Sequence, residues 1–309
     1  MKKLFLLLFV SLISTHLVTA QQPELVYQNP KDSTANYYLA FKPSGQIKGL
    51  LLLLPSFGET PQLASSETNL HKKAAELGLL TVFPCLQHGN VSFYIDSLSQ
   101  NSLDTLIIAL QEKYHLKGKG FYLGGFSLGG SGVVKYAERA YNSTNIPKPN
   151  AIFALDPPLD FERLYRSIEK EIRHGKTPAL INESQYLKQW LDYVFQGSPR
   201  QNLTAYHQIS PYSYTDSLQT TIKPLLKCPI TLVTEPDILW QLEERNRSLY
   251  DLNSLDCSAL ITELKVAGHQ DVHLILTNNK GFRKLTGKKN PHSWSIANEE
   301  ELLTWLLRH

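Results

Sequence analysis

The run Gly49-Leu-Leu-Leu-Leu-Leu-Pro55 is apolar at almost every position, which fits a strand covered on both faces rather than one with a wet side. The same short pattern returns in LLTVFPC, GFYLGG, AIFALD, PITLVT and VHLILT. Between these runs, apolar residues fall at helical spacing in TNLHKKAAELGL, SLDTLIIALQEKYHL, the stretch after Ser127, CSALITELKVAG and EEELLTWLL. A further helix is expected around Leu242 to Tyr250. Buried strands alternating with amphipathic helices predict an α/β fold with a doubly wound, mostly parallel sheet.

The alternation stops between residues 157 and 227, where FERLYRSIEKEIRHG and ESQYLKQWLDYVF have helical spacing and no buried-strand run intervenes. This stretch is expected to be a helical lid inserted over one end of the sheet, within a single domain spanning 21–309. The first twenty residues combine Lys2 and Lys3, an apolar stretch and the small-residue pattern Val18-Thr19-Ala20, the features of a secretory signal peptide. Ser11, Ser14, Thr15 and His16 interrupt that apolar stretch too often for a membrane span. The expectation is a periplasmic or extracellular protein with no stable membrane span after processing.

Charge narrows the function little, but in one useful direction. The 31 Lys and Arg stand against 28 Asp and Glu; losing Lys2 and Lys3 leaves 29 against 28, too even a balance to point to nucleic acid. Cys85, Cys228 and Cys257 are too few for a disulfide framework and read as buried packing residues, although export would permit one bridge.

The chemistry centres on Gly125-Phe126-Ser127-Leu128-Gly129. Ser127 falls where a buried strand turns sharply into a helix whose face carries Val133, Val134, Ala137, Ala140 and Tyr141. At so tight a turn, side chains two positions to either side would collide, and glycines at 125 and 129 remove the collision. The turn projects the hydroxyl at the carboxyl end of the sheet, where α/β folds place ligands.

These residues resemble the nucleophile elbow of the α/β-hydrolase superfamily, and the element order extends that resemblance over essentially the whole mature chain. TEPDILW, DLN and PHSWSI are similar to segments of a group of exported bacterial α/β hydrolases. The resemblance implies a Ser-His-Asp triad with Ser127 as nucleophile and His292 of PHSW as base. His269 competes for that role, but the helical spacing before it would put it at the opposite end of the sheet. His71, His88, His115, His174, His207 and His309 read as surface residues. Asp237, after the strand ITLVT, is the expected acid; Asp156, one strand earlier, is the alternative. The backbone N–H groups of Phe57 and Leu128 are the expected oxyanion hole, and Trp240 and Trp294 the expected substrate-binding surface, with Trp190, Tyr193 and Phe195 as possible additions.

An exported serine esterase acting on a small-molecule or glycan-linked ester, without metal or cofactor, is the resulting expectation. No separate propeller or peptide-gating domain is evident, so an ester is preferred to a peptide. A serine peptidase or amidase, and a hydrolase-like binding protein without activity, remain the alternatives.

Overall fold

The computed structural model describes residues 22–309; the expected signal peptide lies outside the described residues. Among the described residues no helix is long and apolar enough to cross a membrane.

Six of the eight strands among the described residues are the apolar runs read above: β3 (Gly49–Leu54), β4 (Leu79–Cys85), β5 (Gly120–Phe126), β6 (Ala151–Leu155), β7 (Ile230–Thr234) and β8 (Val272–Leu276). They pair in parallel in the order β4-β3-β5-β6-β7-β8. Two strands not anticipated, β1 (Glu24–Tyr27) and β2 (Tyr37–Phe41), extend the sheet antiparallel beyond β4.

The side-chain period of two explains why the central strands are apolar throughout. Leu50, Leu52 and Leu54 of β3 enter one core with helices α3 (Ser97–Lys113), α4 (Leu128–Tyr141) and α9 (Asn253–Val266). Leu51 and Leu53 enter a second core, on the other face, with α1 (Pro61–Glu67), α2 (Leu70–Glu76) and α10 (Glu299–Leu306). Each fully buried leucine contributes roughly 1.5–3 kcal/mol. The sheet is therefore fixed from both sides, and the loops at its carboxyl edge sit on a rigid base.

Between β6 and β7 the chain forms α5 (Phe161–His174), α6 (Pro178–Val194) and α7 (Leu203–Ile209). Phe161, Tyr165, Ile168, Leu191, Phe195 and Tyr206 pack into a third core that also takes in Leu128 at the start of α4. Trp190 stacks on Phe93 with ring centres 5.8 Å apart, so its ring belongs to this helical core.

Two local expectations change. The helix after β7 begins earlier than its spacing suggested, as α8 (Ile238–Arg245), because Asp237 caps its start by accepting from the Trp240 N–H at 3.3 Å. His71 is buried rather than on the surface, its ring 4.1 Å from that of Phe41. Burial lowers its pKa from the ordinary 6.5 to about 4. The three cysteines are free and buried.

Candidate active site

The turn from β5 into α4 places Ser127 at φ 53°, ψ −126°, a conformation that side-chain-bearing residues seldom adopt. Close backbone approach holds it there. A Cβ on Gly125 would lie 2.6 Å from the Gly129 carbonyl, and one on Gly129 would lie 2.3 Å from the carbonyl oxygens of Leu54 and Pro55. The Ser127 N–H donates to Leu155 O at 2.9 Å, which ties the turn to β6.

The loop before α10 carries His292 to this serine. Its Nε2 lies 2.9 Å from Ser127 Oγ, and its Nδ1 lies 2.6 Å from Asp156 Oδ2. The ring rests on Phe126, with ring centres 4.6 Å apart, and the His292 N–H donates to Asn290 Oδ1 at 3.0 Å. Ser127, His292 and Asp156 thus form one continuous hydrogen-bonded line at the carboxyl edge of the sheet.

The carboxylate in that line is not Asp237. Asp237 is committed elsewhere: besides capping α8 it pairs with Lys289 at 2.6 Å. Asp156, directly after β6, lies one strand closer to the serine-bearing β5. It has a left-handed backbone at φ 45°, and its N–H donates to Val233 O at 2.7 Å. Thr234 donates its hydroxyl to Asp156 Oδ1, and Asn253 Nδ2 donates to the Asp156 carbonyl at 2.9 Å. The one signal for this in the sequence was an aspartate directly after the strand that follows the elbow. Glu235 is also occupied, accepting from the Lys280 and Gly281 N–H groups and the Thr277 hydroxyl.

A cavity of about 300 Å³ opens in front of Ser127, walled by the loop after β3, by α5, α6 and α8, and by the loop bearing His292. Phe57 and Leu128 both line it. The Leu128 N–H is the first of α4 and has no intrahelical acceptor. Around Phe57, the Ser56 N–H donates to Glu59 Oε2 at 2.9 Å and the Gly58 N–H to Asn90 O at 2.6 Å. The Phe57 N–H between them has no protein acceptor among the described residues. Two residues of the cavity wall therefore carry backbone N–H groups without a protein acceptor among the described residues.

The two expected tryptophans separate. Trp240 lines the cavity from α8. Trp294 does not: it is buried in the second core and donates its indole N–H to Glu59 at 3.1 Å. Burial raises the Glu59 carboxyl above the usual carboxylate range. Trp190, Tyr193 and Phe195 are likewise absent from the cavity wall, with Tyr193 exposed and Phe195 in the helical core. His269 stands at the amino end of β8, its Nε2 2.8 Å from Cys228 O, at the end of the sheet opposite to Ser127.

Residues 95–206 match the family described as an alpha/beta hydrolase of unknown function (DUF915). No curated protein matches the chain in sequence. Among solved structures, an S-formylglutathione hydrolase from Agrobacterium tumefaciens superposes with a TM-score of 0.56 at 14% identity, over 90% of this chain and 92% of that one. A Pyrococcus furiosus esterase gives 0.55 at 13% identity, over 93% and 91%. An acylaminoacyl peptidase from Pyrococcus horikoshii gives 0.53 at 12% identity over 94% of this chain, which spans only 41% of the peptidase. At such identities the likeness is one of fold. Joined to the family match over residues 95–206 and the order of strands and helices, it shows that the chain has the α/β-hydrolase fold.

Proposed function

We propose that the protein is an exported serine hydrolase that cleaves carboxylic esters through an acyl-enzyme. The observation that carries this reading is the line Ser127 Oγ, His292 and Asp156, with contacts of 2.9 and 2.6 Å. A serine hydroxyl is a weak nucleophile until a base removes its proton. With its proton on Nδ1 and donated to Asp156, the His292 imidazole presents Nε2 as the acceptor. As Ser127 Oγ bonds to the ester carbon, its proton passes to Nε2, and Asp156 stabilises the imidazolium.

The developing oxyanion would accept from the Phe57 and Leu128 N–H groups, the latter aided by the partial positive charge at the start of α4. Collapse of the tetrahedral adduct breaks the bond to the alcohol, which takes the proton from His292. Water then repeats the sequence and releases the acid.

An ester is preferred to a peptide. The esterase and the formylglutathione hydrolase are matched over about nine-tenths of their length, the peptidase over less than half. Export rests on residues 1–20 alone. The test is labelling with a fluorophosphonate followed by peptide mapping, beside a panel of acyl esters. A single adduct on Ser127 with hydrolysis of at least one ester is expected. An unreactive Ser127 would favour the binding-protein alternative.

A further inference from the structure

Two guanidinium groups in the wall of the serine cavity lack a carboxylate of their own. Arg245, in the last turn of α8, lies 5.8 Å from the centre of the Trp240 ring. Arg283, in the loop leading to His292, lies 5.9 Å from the Phe126 ring. Both line the cavity with Ser127 and His292, and among the described residues neither side chain makes an ion pair.

The acidic groups around them are already matched. Glu171 accepts from Arg247 Nη2 at 2.5 Å and from Ser184 Oγ at 3.1 Å. Asp251 pairs with Lys170 and accepts from the Ser248 N–H at 2.7 Å. Glu235 holds backbone amides, and Asp156 faces His292. Glu183 alone is unmatched on this wall, and it is exposed at the rim. Of the three arginines in this wall, Arg247 pairs with Glu171, and Arg245 and Arg283 are left without an ion-pair partner among the described residues. Burial, and then the neighbouring Arg247, hold Arg245 below the usual arginine range; Glu171 and Glu183 oppose the shift and Arg283 adds to it.

We propose that the substrate is an anionic ester whose free carboxylate is bound by Arg245 and Arg283, an inference that rests on the hydrolase reading above. A planar guanidinium fork matches a carboxylate in shape and charge, and an anion between these groups relieves their mutual repulsion. The Trp240 face offers an apolar platform for the carbons that link the carboxylate to the ester.

Ester pairs matched in shape but differing in charge test this. On the acyl side, the mono-p-nitrophenyl ester of glutaric acid is compared with p-nitrophenyl 5-methylhexanoate, whose terminal branch has the same shape without the charge. On the alcohol side, 4-carboxyphenyl butyrate is compared with 4-carbamoylphenyl butyrate. A preference for the charged ester of tenfold or more in kcat/KM is expected in at least one pair, falling toward unity in Arg245→Gln combined with Arg283→Gln. Because each ratio is taken within one protein sample, partial unfolding of a variant does not change it. No preference in either pair, or a preference that survives in the double variant, overturns the proposal. Should no ester be hydrolysed, the hydrolase reading fails, but calorimetry on Ser127→Ala protein still decides the anion site. Glutarate binding that exceeds glutaramide binding and weakens tenfold or more in the double arginine variant supports it; equal binding of the two overturns it.

Discussion

Asp156 and His292, 136 positions apart in the chain, meet through a 2.6 Å contact between Oδ2 and Nδ1, and the other Asp156 oxygen receives the Thr234 hydroxyl. Thr234 is thus a positioning residue, fixing the carboxylate that orients the imidazole. Thr234→Val keeps the side-chain volume and removes the donor, leaving a buried carboxylate oxygen short of a partner. Turnover is expected to fall about tenfold with KM little changed, as a steady-state comparison with wild type would show.

The elbow glycines are expected to be required for stability rather than for chemistry alone. In Gly129→Ala the new methyl would sit 2.3 Å from two backbone oxygens, which cannot yield as a flexible side chain could. A loss of about 3 kcal/mol, read as a lower urea midpoint, is expected.

Trp240 and Trp294 should respond differently to truncation. Trp240→Ala opens the cavity wall, so KM is expected to rise severalfold with the fold intact. Trp294→Phe retains most of the buried ring but leaves Glu59 without the indole donor, and about 1–3 kcal/mol of stability is expected to go. Urea titrations beside ester kinetics separate the two outcomes.

The buried His71 makes stability depend on pH in a direction that can be stated. Its folded pKa, about 4, lies below the unfolded value near 6.5, so between those values the unfolded chain binds a proton that the native state refuses. The contribution is fully present above pH 6.5 and is lost as the pH falls toward 4, by up to about 3 kcal/mol. In His71→Phe, urea midpoints at pH 7 and pH 4.5 should lie closer together than in wild type.

The sheet was legible wherever burial on two faces wrote a continuous apolar run, as in Leu50–Leu54. It was not legible in Glu24–Tyr27, an edge strand with alternate residues exposed and only four residues long. Ser127 was legible because steric crowding forces glycine at 125 and 129. The choice between Asp156 and Asp237 was not, since each follows a buried strand. What separates them is a cross-strand contact from Thr234 and the capping of α8, neither of which has a local signature. Trp294 illustrates the same limit, since only two positions separate it from His292, yet its ring is turned into the core.

Which aspartate serves His292 is measured directly by the pre-steady-state burst of p-nitrophenol from an activated ester. Wild type and Asp237→Asn should both show a burst of one equivalent, allowing for the weakened cap of α8, while Asp156→Asn should acylate about ten-thousandfold more slowly. A normal burst in Asp156→Asn together with a lost burst in Asp237→Asn would contradict the assignment of Asp156.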